Sequence, residues 1–332
     1  MSRLELAGSL YRAMLKIRRV EERIVAIYPS DKIQSPIHLS IGQEAVSAGV
    51  CLAMKPADRI YGTYRGHGLF IAKGGDLRKL FAELYGKEAG CARGKGGSMH
   101  LVAPETGLMG CSAIVASTIP VATGDALASE MQGRPRTVVA FFGDGAVEEG
   151  VFFESFNFAV LKNLPILFVC ENNHYAIHSK LSDRRKQTEL YRIGEGFGLK
   201  GKRFNGDNAL EVHEATCEAL EKIGKGKGPQ LLEFVTCRWS EHVGPGMDHN
   251  EAYRDQEELR HALSHDPLEE VKSLLLAEKF TEPHFKKWET EIQKEIEEAV
   301  DFAEKSPFPT PEALWEDLYK ENDEPHQLWS GR

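Results

Sequence analysis

One stretch constrains the fold of this chain more than any other: TVVAFFGDGAVEEGVFFESFNFAVLKNLPILFVCENNHY, residues 137–175. Its two apolar runs, residues 137–142 and 165–170, show no polar alternation, as strands buried on both faces do. Between them, residues 147–162 read as an amphipathic helix. Strand, helix and strand in this order predict a right-handed βαβ unit, whose two strands deliver their C-terminal ends to the same edge of a parallel sheet. Open sheets of this kind bind ligands at that edge. The spacing therefore brings Gly143, Asp144 and Gly145, after the first strand, beside Glu171, Asn172 and Asn173, after the second. A carboxylate, an amide oxygen and a loop carbonyl make a hard oxygen site of the kind Mg²⁺ or Ca²⁺ prefers. The flanking glycines let backbone amides approach phosphate at the mouth of the helix that starts at Val147. GDG alone would read equally well as a strand-end turn; NN at the end of the next strand makes it a site.

The rest of the chain extends this pattern. Leu6, Leu10, Met14, Ile17, Ile24 and Ile27 repeat at helical spacing, with Arg, Lys and Glu on the other face, until Pro29. Helices are expected over 43–55, 76–85 and 210–223, a buried strand over 230–237, and charged helix from Pro267 to Lys305 before a Pro/Trp-containing tail. Residues 86–97, GKEAGCARGKGG, have no periodicity and read as a loop that is mobile unless a ligand orders it. Alternating strands and helices without repeat or linker point to a single domain over residues 1–332: α/β, a parallel sheet with helices on both faces.

Composition removes other classes. Fifty acidic against 41 basic residues give a net charge of −9, which disfavours nucleic acid and anionic membranes. No apolar run is long enough to span a bilayer, and Arg3, Glu5 and Arg12 interrupt any signal-peptide core. Six scattered cysteines without framework spacing indicate a reducing compartment, hence a cytoplasmic protein. His261 and His265 stand i,i+4 apart but lack a third ligand, so a helix surface is expected there.

GDG, a span of 26 residues and NN resemble the diphosphate-and-metal motif of thiamine-diphosphate enzymes. The wider chain is similar to the α subunit of the 2-oxoacid dehydrogenase E1 component, of the pyruvate or acetoin dehydrogenase type. The matching segments are HLSIGQEA (38–45), YRGHG (64–68), GKGGSMH (94–100), AIVASTIPVATGDA (113–126), ENNHY (171–175) and RWSEHVGPGMD (238–248). The resemblance implies the thiamine-diphosphate-binding fold, in its diphosphate-binding half. It implies Mg²⁺ on Asp144, Asn173 and the backbone carbonyl of Tyr175, with Gly143, Gly145 and Ala146 wrapping the diphosphate. Tyr64 and Arg65 would approach the phosphate end, joined by Arg238 and His242. Backbone near Ala113 and Val115 would hold the aminopyrimidine, and Ile114 and Val115 would support the bent cofactor. His38 and His67 would face the substrate, with His242 as a third catalytic histidine. Ser40, Ala113, the pair Ser240 and Glu241, and Val243 depart from the family's usual residues, which puts substrate size and phosphorylation control in question, not the cofactor.

The glutamate that family members aim at the aminopyrimidine belongs to a second domain, and no second α/β half is present. The resemblance therefore implies a β-type partner, an α2β2 heterotetramer, and acyl transfer to a lipoyl-bearing E2 acyltransferase. A split transketolase-like or acyloin-forming enzyme would share GDG and NN but need no lipoyl partner. A non-catalytic subunit would not need the three histidines. A nicotinamide enzyme would need GxGxxG after an early strand, whereas the glycines at 94–97 follow a helix and a loop.

Overall fold

The computed structural model describes residues 2–33, 35–134, 136–248, 253–278 and 280–317. Helix α1 (Arg3–Ile27) starts behind a capping box in which Ser2 and Glu5 exchange hydrogen bonds. Its stripe of Leu10, Met14, Ile17 and Ile24 is fully buried. Two charged residues depart from the expected polar face, because each has a polar task inside. Arg18 pairs with Glu44 and, at 3.0 Å, with Asp266. Glu21 accepts the Ser40 N–H at 2.8 Å and holds the His67 ring at 3.2 Å.

Three helices precede the middle of the chain: α2 (Glu44–Ala53), α3 (His67–Ala72) and α4 (Leu77–Leu84, capped by Asp76). The core strands β3 (Val138–Gly143) and β4 (Ile166–Asn172) flank α6 (Gly150–Leu161), as the periodicity predicts. The helix starts three residues later than expected. A short 3₁₀ turn over Asp144–Glu148 comes first, and Glu149 is extended, so the chain steps clear of the strand end before it winds up. Strand β8 (Gln230–Val235) and helix α8 (Ala209–Gly224) also follow the pattern.

Three strands of the sheet escape the pattern: β1 (Arg59–Thr63), β2 (Leu108–Ser112) and β7 (Lys202–Asn205). Each is four or five residues long and carries glycine or charge, so none reads as an apolar run. Helix α5 (Thr118–Met131), the hairpin of β5 (Tyr175–Ala176) and β6 (Ser179–Lys180), and the short α7 (Leu181–Arg184) complete the middle of the chain. Then come α9 (Gln256–Ser264), α10 (Pro267–Ala277) and α11 (Glu282–Lys305). Residues 318–329 of the expected tail lie outside the described residues.

The six strands run parallel in the order β2-β1-β3-β4-β8-β7. Alternate residues feed two cores. Val139, Phe141, Leu167, Val169, Leu232 and Phe234 pack under α1, α2 and α8. Val138, Ala140, Phe142, Ile166, Phe168 and Cys170 pack against α5 and α6. Arg12, Lys16, Arg19 and Arg23 of α1 pair with Glu291, Glu295, Glu289 and Glu297 of α11 along the rim. Among the described residues no helix is long and apolar enough to cross a membrane.

The glycine-rich loop at 86–97 has its own anchor, which the sequence does not announce. The buried Glu83 carboxylate accepts the N–H of Ala92 and Gly94 on one oxygen (2.7 and 3.0 Å) and of Gly96 and Gly97 on the other (2.7 and 3.0 Å). Order in this loop therefore draws on a carboxylate of the chain itself.

Candidate active site

Strand order decides where the site lies. From β1 the chain moves to β2 on one side and then to β3 on the other, so the topology switches between β1 and β3. A crevice forms beyond the carboxyl ends of strands at such a point. Register pairs Gly143 with Glu171, so Asp144 and Asn173 leave neighbouring strands side by side. β1 ends in Thr63, followed by Tyr64 and Arg65; β2 ends in Ser112, followed by the turn through Ala116. Two of the three strands missed from sequence, β1 and β2, thus bring YRGHG and AIVAS to the same edge.

A cavity of about 210 Å³ occupies this crevice. Of the predicted residues, Tyr64, Arg65, Val115, Gly143, Asp144, Gly145, Ala146, Asn173, Tyr175 and His242 line it. Ala113 does not, although its neighbours Ile114, Val115 and Ala116 do. His38 stands behind the wall, with ring centroids 4.5 Å from Tyr64 and 5.0 Å from His242, and its buried Nδ1 has no hydrogen-bond partner. Burial, reinforced by Arg65, depresses both His38 and His242 to about 3, so both rings are neutral at physiological pH.

Two predicted residues stand elsewhere. His67 is fully buried between Glu21 and Ser98 (2.8 Å to Oγ) and does not line the cavity, so its ring braces α3 against α1 instead of facing the crevice. Arg238 is 1% exposed and also lies off the lining. It ties the loop after β8 together through Ser240 O (2.8 Å), Tyr253 (2.6 Å) and Asp248 (3.4 Å), and it reaches His242 Nδ1 at 3.5 Å. That loop is pinned to the segment before α2 by Trp239 N–H to Ile41 O (3.2 Å) and Gly244 N–H to Ile37 O (2.9 Å). His261, in the last turn of α9, and His265, its C-cap, are exposed and stack at 4.3 Å.

Sequence reasoning assigned no role to several neighbours. Arg184 donates to Asp144 and, at 3.2 Å, to Glu148. Glu171 lines the cavity, and burial pushes its carboxyl up to about 8 against the pull of Arg65. Gln43 is fully buried between Asn173 and Glu171. A carboxylate directly after a buried apolar run, as Glu171 is in CENN, is the available signal for the second of these.

The donor set suits a hard cation and a diphosphate. Asp144 is 2% exposed, and its carboxylate already draws a positive group. The cluster contains oxygen donors of three kinds but no group of three or more His, Cys, Asp or Glu among the described residues, so phosphate or water oxygens must complete any coordination shell. At Gly145 a Cβ would stand 3.0 Å from that of Ala176, so the cradle has room for backbone only.

A switch-point crevice of this kind, lined by a carboxylate, an amide and a guanidinium, belongs to α/β proteins that bind phosphorylated cofactors. The family model described as the dehydrogenase E1 component matches residues 12–312, and the chain belongs to that family, the thiamine-diphosphate-dependent E1 proteins, on the α-subunit side. It is 38% identical over 310 residues to a pyruvate dehydrogenase E1 component subunit alpha of Rhizobium meliloti (strain 1021), covering 93% of this chain and 88% of that one. The counterpart from Zymomonas mobilis is also 38% identical over 310 residues, covering 93% and 87%. A chloroplastic subunit alpha-3 from Oryza sativa is 37% identical over 327 residues, covering 96% and 76%.

Proposed function

We propose that this chain is a single-domain α subunit of a 2-oxoacid dehydrogenase E1, of the pyruvate or acetoin type, that binds thiamine diphosphate and Mg²⁺. In this reading it works in the cytoplasm with a β subunit as an α2β2 heterotetramer and passes the acyl group to lipoamide on an E2 protein. The observation that carries the reading is the convergence of Asp144, Asn173, Tyr64, Arg65 and His242 on one crevice at the switch point. The names of the relatives favour pyruvate over acetoin.

When bound, thiamine diphosphate supplies a nucleophilic thiazolium carbon and an electron sink for decarboxylation. The residues of this chain do the rest. Asp144, the Asn173 amide oxygen and the Tyr175 carbonyl hold Mg²⁺; Gly143, Gly145 and Ala146 offer backbone to the diphosphate. Arg65, buried and permanently charged, balances the anionic end, and Tyr64 packs beside it. Arg238 acts on the crevice by holding the loop that carries His242. Neutral His242, on the lining, and His38, packed behind it, are suited to act as uncharged hydrogen-bonding groups toward the substrate, since rings lowered to about 3 are weak proton acceptors near neutral pH. His67 is assigned a bracing role only.

Apolar surface supports the partner. Ile114 is 71% and Ile177 55% exposed at the rim of the crevice, and Met131 and Leu161 are exposed on α5 and α6. A β subunit covering this side would close the crevice to water and bring the glutamate that the family aims at the aminopyrimidine from a separate domain. All six cysteines are free, in keeping with a reducing compartment. The test is decarboxylation of pyruvate, or acetoin cleavage, with an artificial electron acceptor while a β-type subunit is titrated in. Activity near zero at the start and saturation close to one partner per chain are expected. Full turnover by the chain alone overturns the split-enzyme reading.

A further inference from the structure

We propose that Gln43 is a positioning residue for the metal site: its side-chain amide holds the Asn173 amide so that Oδ1, and not Nδ2, is presented at the Asp144 crevice. The inference rests on the reading of Asp144 and Asn173 as metal ligands.

Gln43 caps the start of α2, and the bend before it is set by Gly42 at φ +92°. A Cβ there would strike the Trp239 ring at 2.5 Å and the Cys237 carbonyl at 2.7 Å, so only glycine turns the chain at this point. The Gln43 backbone N–H is spent on the Ser40 carbonyl at 2.7 Å. Its side chain, fully buried, reaches across to the end of β4. There Nε2 donates to Glu171 Oε2 at 3.3 Å, and Oε1 accepts from Asn173 Nδ2 at 2.8 Å.

An amide has one donating and one accepting end, and the two are fixed relative to each other. With the donating end turned to the Glu171 oxygen, the accepting end must face Asn173. The Asn173 amide then puts Nδ2 toward Gln43, which leaves Oδ1 on the other side. That oxygen accepts the Tyr175 N–H at 3.2 Å and keeps a second lone pair for a cation. Reversal would set two carbonyl oxygens against each other in a buried place and aim an NH₂ group at the metal. The order along this relay is therefore Glu171, Gln43, Asn173, metal. Partners of this kind, one step behind a ligand, orient it and change metal affinity by roughly 10- to 100-fold when removed.

The experiment uses the assembled enzyme with thiamine diphosphate and Mn²⁺ as the probe, its free concentration followed by electron paramagnetic resonance. Gln43→Met keeps the length and removes both hydrogen bonds. It should weaken Mn²⁺ binding by roughly 10- to 100-fold. At saturating Mn²⁺ the KM for the 2-oxoacid should stay within about two-fold of wild type, a split that a general loss of packing would not give. Gln43→Glu retains an acceptor for Asn173 Nδ2 and should recover most of the affinity. Mn²⁺ binding by Gln43→Met within about two-fold of wild type, or equal losses in both variants, overturns the proposal. Should Gln43→Met fail to assemble, Gln43→Glu decides alone, since a loss as large as that of Asn173→Ala is incompatible with the relay. Asn173→Ala also separates the two readings. Wild-type affinity in that variant removes the metal assignment itself, whereas its loss beside an intact Gln43→Met removes only the role of Gln43.

Discussion

Replacing Arg184 by Gln sets the guanidinium on Asp144 against the metal that the same carboxylate is proposed to bind. The two side chains are 14% and 3% exposed, so the pair is largely out of water. Two unit charges about 4 Å apart at an effective dielectric near 20 attract by about 4 kcal/mol, and removing one member of such a pair costs about 3–5 kcal/mol. Burial already raises the Asp144 carboxyl against the pull of Arg184, so losing the guanidinium raises it further, which offsets part of the loss and holds it near the lower figure. A bound divalent cation supplies the missing charge, so the metal-loaded variant escapes most of this loss. By linkage the difference returns as tighter binding: about 3 kcal/mol is roughly 100-fold in affinity. Calorimetric unfolding with and without Mg²⁺, beside an Mn²⁺ titration of the assembled enzyme, measures both sides. The metal-free Tm should fall by about 5 °C while the metal-loaded Tm barely moves. Equal destabilisation of both states, or weaker metal binding, refutes the competition and makes Arg184 an accessory to the bound group.

Stability should also respond to pH through Glu171. Its carboxyl, raised from 4.5 to about 8, binds a proton in the folded chain that the unfolded chain releases, so its contribution is complete below 4.5 and lost as pH rises through 8. His38 and His242, lowered from 6.5 to about 3, oppose it, since their contribution is present above 6.5 and lost as pH falls toward 3. Glu171→Gln should therefore remove a fall in Tm between about pH 5 and pH 8 in the metal-free chain, and superimposable wild-type and variant curves would contradict this. Glu83→Gln should cost about 2–3 kcal/mol through weakened N–H bonds and open residues 86–97 to proteases; an unchanged cleavage pattern would show that the loop does not depend on the carboxylate.

The central βαβ unit and its motif were readable because both depend on local facts: apolar runs of strand length, glycine at a strand end, asparagine at the next. The outer strands were not readable, since RIYGT and LMGCS take their extended form from neighbours far along the chain. Their motifs were nevertheless found, because YRGHG and AIVAS resemble segments of the E1 α-subunit family, a likeness independent of periodicity. His67 shows the limit of that route. A histidine in a glycine-rich motif gives no sign of the acid and serine that enclose it, because Glu21 and Ser98 lie 46 and 31 residues away in sequence. Gln43 and Arg184 are harder still. Neither has a local signal, and both matter only through a partner on another element.

Strand order also sets a timetable for synthesis. β1 leaves the ribosome early but lies between β2 and β3, and Arg59 has to wait for Val138 to form its ladder. Until then a nascent chain can offer only a two-stranded sheet, while α1 has yet to meet α10 and α11. Helices α2 and α3 cover part of α1 early, and the face that meets α10 and α11 is among the last covered. A chain cut short before α10 would leave that face exposed. Transiently exposed apolar surface of this kind makes such fragments prone to aggregate.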